Sequence, residues 1–370
     1  MKIAMTLLSG VGYGGLTYFN NLVPALAAAD QENEYHLFVP MAHPLVRETR
    51  QKNFIFHERI GNNRSAIKRL LWEQLVLPRE LKKYKIDILF TAKNLNVFLA
   101  RCKTVISIRN MEPLVYRVYD NDWKLSILLW LKWQLTKWSV HKASQVVAVS
   151  QAVKDRLIEK FPDVGKKVSV VYNGNPVSQA VETADKSVSA ILLPFLLTAS
   201  KFVAYANQLN LLKGYALLVE KNPDMPPLWF VGGVHDKKYF QKVQKFVSDK
   251  QLENRVKFLG LVAHDQLLKL MRKAQAFVFP STLEACPHTL IEAMACGVPI
   301  ATSNTPPMPE ICADAAIYFD PHNSDDIAKK MQSVMSDRAL RERLAQDGPK
   351  RSQLFTWENT AKSLIKIFML

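Results

Sequence analysis

The sequence predicts an α/β fold built from two doubly wound parallel sheets. Short apolar runs alternate with helical patterns in the first half, and the same alternation restarts in the second. A polar stretch containing Pro and Gly separates the two halves, from Asn173-Gly174-Asn175-Pro176 through Ala190. Predicted strands of the first half are Lys2–Leu8, Tyr35–Val39, Ile86–Thr91, Thr104–Ile108 and Gln145–Val149, with helices at Leu16–Ala29, Trp72–Tyr84 and Gln151–Lys160. In the second half the strands are Phe195–Ala199, Leu228–Val231, Val256–Leu259, Ala276–Phe279, Pro299–Thr302 and Ala316–Phe319. Helices are predicted at Gln208–Glu220, Tyr239–Lys250, Asp265–Ala274 and Thr289–Ala295. The predicted domains are residues 1–178 and 185–352. Ligands of open parallel sheets bind beyond the carboxyl ends of the strands, so two facing sheets imply a cleft, and function is sought in loops that follow strands.

Composition narrows the class. With 48% hydrophobic and 22% charged residues the chain is globular, and no run of eighteen apolar residues marks a membrane span. Met1–Ser9 carries one Lys before a short apolar run and then a glycine-rich turn, which reads as a buried strand rather than a signal peptide. Cys102, Cys286, Cys296 and Cys312 show no CxxC pairing and no metal-ligand rhythm, which suggests reduced thiols and a cytoplasmic location. The net charge of +16 is uneven: residues 1–180 hold 26 Lys and Arg against 14 Asp and Glu, so +12, and the remainder 23 against 19, so +4. A basic first half attracts a phosphorylated substrate, an anionic membrane surface or nucleic acid. Without a zinc-finger, aromatic RNA-binding or helix-turn-helix signature, nucleic acid is set aside.

Two loops could carry chemistry. Ser9-Gly10-Val11-Gly12-Tyr13-Gly14-Gly15 lies between a strand and a helix. Gly14 and Gly15 there allow close approach of a phosphate, although a tight strand–helix turn explains them equally. It lacks the full dinucleotide fingerprint and the Lys-Ser/Thr of a P-loop. The second loop is Ser281–Pro287, between the strand Ala276–Phe279 and the helix ended by Gly297. The amides of His288, Thr289 and Leu290 would then offer an anion site. Glu292, placed in the first helical turn, is worth ~0.3–1 kcal/mol from the helix dipole alone. Glu284 is harder to explain. A carboxylate ~4 Å from a phosphate costs on the order of 4 kcal/mol at an effective dielectric of 20, so it should contact something beyond the phosphate, such as sugar hydroxyls.

Glu284 and Glu292 form an E-x7-E pair within Phe279-Pro280-Ser281 … Glu292-Ala293-Met294-Ala295-Cys296-Gly297-Val298-Pro299, followed by Pro309-Glu310-Ile311. This segment resembles the donor-site signature of glycosyltransferase family 4, the retaining group 1 transferases with the GT-B twin-Rossmann fold. The resemblance extends to Val170-Val171-Tyr172-Asn173-Gly174, Leu197–Lys201, Val256–Gly260 and Phe355-Thr356-Trp357-Glu358. It implies that Glu284 contacts the donor sugar and Glu292 the ribose. The diphosphate would meet Lys201 and the amides near His288–Leu290, and the base would meet the backbone around Phe258–Leu261. It also implies that residues 353–370 pack back on the first domain.

Three departures from the family pattern stand out. Tyr205-Ala206-Asn207 has Ala where a second basic residue is usual, and Lys213 is the nearest substitute. Arg109-Asn110 replaces a His-Asp pair. Arg109 is no general base but can pair with phosphate or an acidic acceptor, and Asn110 can hydrogen-bond an acceptor hydroxyl, although a solvated loop explains both. Ala285-Cys286-Pro287-His288 replaces Gly-Phe-Gly, so Pro287 removes one N–H and His288 stands as a substitute donor. Asp120-Asn121-Asp122 matches a metal-binding DxD formally, but nothing else resembles the fold that uses it, and no metal is expected.

Trp123–Trp138 holds four of the seven Trp, interleaved with Lys. Such a helix either lies in a membrane interface or forms a core helix with a solvated edge. The expectation is therefore a metal-independent hexosyltransferase of the retaining type, without a cofactor. It takes a nucleoside-diphosphate sugar and a glycan or lipid-linked acceptor, and is cytoplasmic or peripheral to the membrane. The alternatives are a nucleotide-sugar epimerase or hydrolase, or a non-catalytic binding partner of another transferase.

Overall fold

A computed structural model of the chain describes residues 1–8, 13–59, 65–119, 123–175 and 194–370. The chain forms two units, Met1–Gly174 with Thr356–Leu370, and Asn175–Phe355. Ser9–Gly12, Asp120-Asn121-Asp122 and junction residues 176–190 lie outside the described residues.

The first unit opens with β1 (Lys2–Thr6), α1 (Tyr13–Ala29), β2 (Glu34–Pro40), α2 (Leu45–Glu48) and β3 (Phe54–Arg59). Then come α3 (Ala66–Leu71), a π-helical turn (Trp72–Val76), α4 (Leu77–Lys83), β4 (Ile88–Thr91) and β5 (Lys103–Ile108). A 3-10 segment (Glu112–Tyr119) leads to α5 (Trp123–Lys142), β6 (Gln145–Ala148), α6 (Gln151–Lys160) and β7 (Val168–Val170). The seven strands run parallel in the order β3-β2-β1-β4-β5-β6-β7. The aliphatic side chains of the inner strands β1, β2, β4, β5 and β6 are buried, as both faces of a parallel sheet require.

The structure departs from the predicted elements where local pattern is weak. β3 is an edge strand whose Phe-Ile-Phe-His-Glu-Arg is mostly half-exposed, and β7 has three residues, so neither makes an apolar run. The helix predicted over Trp72–Tyr84 starts earlier, at Ala66, because Ser65 caps it by accepting the Lys68 N–H at 3.4 Å. The π-helical turn then separates it from α4.

The second unit contains β8 (Leu196–Ala199), α7 (Gln208–Lys221), β9 (Leu228–Val231), α8 (Lys237–Asp249), β10 (Val256–Phe258), α9 (His264–Lys273) and β11 (Ala276–Phe279). It continues with α10 (His288–Ala295), β12 (Ile300–Ser303), α11 (Met308–Cys312), β13 (Ile317–Phe319), α12 (Ser324–Ser336) and α13 (Arg338–Ser352). The sheet is parallel, ordered β10-β9-β8-β11-β12-β13. Its core is Leu211, Leu212, Tyr215, Phe230, Val278 and their neighbours.

The chain closes with α14 (Trp357–Phe368), which belongs to the first unit. Trp357, Ala361, Leu364 and Phe368 enter the core that holds Ile3, Tyr18 and Leu22. Thr360 Oγ1 donates to the Tyr172 carbonyl at 2.8 Å. Gly174 has a steric reason: a Cβ there would stand 2.3 Å from the Trp357 amide nitrogen.

Candidate donor and acceptor sites

The strand order of the second unit reverses between β8 and β11, the position where open α/β sheets bind ligands. The loops after these strands are tied together. Thr282 donates from its N–H and its Oγ1 to the Tyr205 carbonyl, at 2.8 and 3.0 Å. Asn207, in the left-handed region at φ 61°, donates from Nδ2 to the carbonyls of Pro280 and Pro321, at 3.1 and 2.8 Å. Ser303 Oγ, at the end of β12, donates to the Ser281 carbonyl at 2.6 Å. Buried Gln208 holds the β8 loop by donating to Ser200 Oγ and to the Lys201 carbonyl, at 2.8 and 2.9 Å.

This frame places Lys201 near enough for its charge to act on Glu284. Glu284 is half-buried and accepts a hydrogen bond from Ser281 Oγ at 2.9 Å. Burial pushes its carboxyl up to about 7, against the opposing pull of the Ser281 hydrogen bond and the Lys201 charge. Lys201 Nζ lies 5.1 Å from the centre of the Tyr205 ring. Ala206, where a second cation was sought, is buried inside the 3-10 turn Ala204–Ala206. Lys213 is exposed on α7 and donates to Asn210 Oδ1 at 3.2 Å, and among the described residues no hydrogen bond or ion pair joins it to Glu284.

α10 corrects the predicted details. It starts at His288, not Thr289, so Glu292 is its fifth residue and falls in the second turn, where the dipole effect has faded. The Leu290 N–H donates to the Pro287 carbonyl at 3.0 Å, and its side chain is fully buried. Leu290 thus has its amide engaged within the cap, while His288 and Thr289 occupy the first two positions of the helix. Glu292 is buried and bonded to His264 Nε2 at 2.9 Å, a contact 28 residues apart that the sequence did not signal.

The Glu292 hydrogen bond raises the His264 pKa above its ordinary value, against the effect of burial. A raised histidine stabilises the folded state below its unfolded pKa and loses that contribution as pH rises through the folded one. The melting-temperature loss in His264→Gln is therefore expected to be largest below about pH 6.5 and to shrink at higher pH. Thermal melts at pH 5.5 and 8.5 check this, and an equal loss at both would refute the pairing.

Phe258 and Leu261 divide differently. The Phe258 ring packs against Phe202, Phe230 and Phe240, at 5.7, 5.4 and 5.5 Å, which leaves its backbone for any ligand. Leu261 is exposed, beside Gly233. Between them Gly260 adopts φ +67° and its carbonyl accepts the Gly232 N–H at 2.8 Å.

In the first unit Arg109 follows β5. Its guanidinium stacks 3.6 Å from the centre of the Tyr18 ring and donates to Asn173 Oδ1 at 3.2 Å, which is not the solvated loop side chain that the sequence allowed. Burial pushes the Tyr18 hydroxyl up to about 12, so the ring stays neutral. Asn110 is exposed, and its Oδ1 accepts the Glu112 N–H at 2.9 Å. A cavity of 330 Å³ opens beside Arg109 and Asn110 and is lined by the β4 loop and α5. Gly14 and Gly15 stand in the first turn of α1.

α5 is buried along one side and exposed along the other. Thr136, Ser139 and Val140 are buried, whereas Ile127, Leu128, Trp130, Leu131 and Trp138 are about half exposed. Ile67, Leu71 and Leu75, on α3 and the π-helical turn, are also exposed. Among the described residues no helix is long and apolar enough to cross a membrane, and no group of three or more His, Cys, Asp or Glu could hold a metal ion.

Each unit is thus a doubly wound parallel sheet, and the second carries Lys201 and Glu284 on the loops at its topological switch point. Residues 13–179 match the family described as Glycosyltransferase Family 4, and residues 185–351 the one described as Glycosyl transferases group 1. The chain belongs to these family 4, group 1 glycosyltransferases and has their GT-B architecture. It is 31% identical over 163 residues to O-antigen chain mannosyltransferase B of Escherichia coli, covering 44% of this chain and 42% of that one. It is 29% identical over 203 residues to the O-antigen chain mannosyltransferase RfbU of Salmonella typhimurium, covering 55% and 53%. The chain thus spans about half the length of these curated relatives. Among solved structures, sucrose-phosphate synthase of Thermosynechococcus elongatus matches at a TM-score of 0.75 and 19% identity, covering 100% and 98%. Anabaena HepE in complex with UDP and glucose matches at 0.72 and 19%, covering 100% and 99%.

Proposed function

We propose that this protein is a retaining glycosyltransferase that moves a hexosyl group from a nucleoside-diphosphate sugar to an acceptor hydroxyl in polysaccharide assembly. The observation that carries this is the action of the Lys201 charge on Glu284 at the switch point of the second sheet. Glu284 would accept hydrogen bonds from the sugar hydroxyls, and Glu292, held by His264, from the ribose. Lys201 and the amides of His288 and Thr289 would stabilise the departing diphosphate, without a metal ion. The base would lie against the backbone at Phe258–Leu261. The acceptor falls to the first unit, near Arg109 and Asn110, and is glycan or lipid-linked. The mannosyltransferase names of the relatives favour mannose, and the UDP bound to HepE shows what nucleotide that neighbour takes.

Exposed Ile127, Trp130 and Trp138, with the basic residues of the first half, support contact with an anionic membrane surface. The test of transfer is incubation with labelled UDP-, GDP- and dTDP-sugars plus membrane extract. Nucleotide release that depends on acceptor is expected; release independent of it, or no nucleotide binding, would overturn the proposal.

A further inference from the structure

The cavity in the first unit is a built site rather than a gap between loops. Asn94 Oδ1 accepts the N–H groups of both Arg109 and Asn110, at 2.9 and 3.1 Å, and its Nδ2 donates to the Asn110 carbonyl at 2.7 Å. That clamp fixes the β4 loop to the β5 loop. The same β4 loop is pinned to α5, because the Asn96 N–H donates to Ser139 Oγ at 3.0 Å, and to the π-helical turn through Gln74, which donates to the Asn96 carbonyl at 2.9 Å. The walls are therefore set before any ligand arrives.

Among the described residues the charged side chains of those walls have one sign: Lys93, Arg109 and Lys132 line the cavity, and no Asp or Glu does. Buried Glu73, outside the lining, pairs with Lys93; Arg109 reaches the Tyr18 ring and Asn173, and Lys132 adds a further cation to the wall. Leu95, Pro113 and Leu135 supply an apolar flank. At 330 Å³ the cavity is at the lower end of the ~300–1,000 Å³ range of small-molecule sites, enough for one ring and its substituent. Arginine suits the paired oxygens of phosphate and carboxylate, and lysine adds a point charge.

We propose that this cavity binds a phosphate or carboxylate group on the acceptor, so that the acceptor is anionic next to the ring or headgroup it presents. This rests on the assignment of the acceptor to the first unit. The group can sit on a soluble sugar or on a lipid, and the experiment separates these sources.

Calorimetric titration of the full chain with glucose 6-phosphate, glucuronic acid, neutral glucose and dihexanoyl phosphatidic acid below its micellar concentration tests the proposal. At least one anionic probe is expected to bind where glucose does not. Binding by the sugars places the anion on a glycan, and binding by phosphatidic acid alone places it on a lipid. Lys132→Gln should weaken that binding roughly fivefold and Lys132→Glu more than tenfold. Lys201→Gln should leave it within twofold, which excludes binding of the probe at the donor site. Equal affinity for glucose, no binding by any anion, or loss in Lys201→Gln with none in either Lys132 variant would overturn the inference. Nucleotide titration of the same samples keeps the two proposals apart: if UDP or GDP binds and the anions do not, only this inference fails.

Discussion

Glu284→Gln is expected to melt several degrees higher than the wild type at pH 8 while losing at least 10²-fold in kcat/KM for sugar transfer. The two effects share a cause. The carboxyl titrates at about 7 in the folded chain, because burial disfavours its charge, against a usual value of 4.5. Between those two values the folded state binds more protons than the unfolded one, so stability falls as pH rises from about 4.5 to about 7. Above pH 7 the full cost is present, on the order of 2–3 kcal/mol. Glutamine keeps the shape and can still accept from Ser281 Oγ, but carries no charge. Its advantage should therefore be greatest at pH 8 and vanish near pH 4.5. Calorimetric melts across that range, with transfer assays at pH 8, check both halves. A melting difference that does not change with pH, or full activity in the variant, would show that Glu284 is neither strained nor in contact with the sugar.

The second large effect is expected from Gly232→Ala, at the end of β9. Gly232 sits at φ +146°, and a Cβ there would stand 2.0 Å from the Ser200 carbonyl oxygen and 2.6 Å from its carbon. Neither atom belongs to a flexible side chain, so the backbone after β8 must move, and that backbone carries Lys201. The shift also strains the hydrogen bonds of Ser200 N–H to Val231 and of Gly232 N–H to Gly260, each formed at 2.8–2.9 Å. A loss of about 2–4 kcal/mol in urea unfolding is expected, with nucleotide affinity down more than tenfold. Gly260→Ala is the control. Its Cβ would meet nothing within 4 Å, so only the left-handed φ of +67° opposes it, at roughly 1 kcal/mol. If the two alanine variants behaved alike, close approach of β9 to the β8 loop would not be what Gly232 provides.

The strands easiest to find in the sequence were those buried on both faces. Leu228–Val231 and Ala276–Phe279 are uninterrupted apolar runs, and they form β9 and β11 with those bounds. Edge strand β3 escaped because only Phe54 of its six side chains is buried, so the others need not be apolar. Within the candidate donor site, Glu284 and Glu292 stood out by their spacing and Lys201 by its place after a strand. Ser281, Asn207 and His264 did not, since each acts through a partner that no local pattern reveals.

Periodicity and the E-x7-E context were sufficient, without coordinates, to specify two doubly wound sheets and the family to which the chain belongs. They could do so because alternation of buried strands and helices is a local property, written in short windows of residues. Tertiary structure alone decided that the Leu290 amide is spent inside its own helix cap, that Glu292 pairs with His264, and that Arg109 stacks on Tyr18. Burial, and with it the raised titration of Glu284, depends on which distant segments converge around a side chain, and that convergence exists only once the chain has folded.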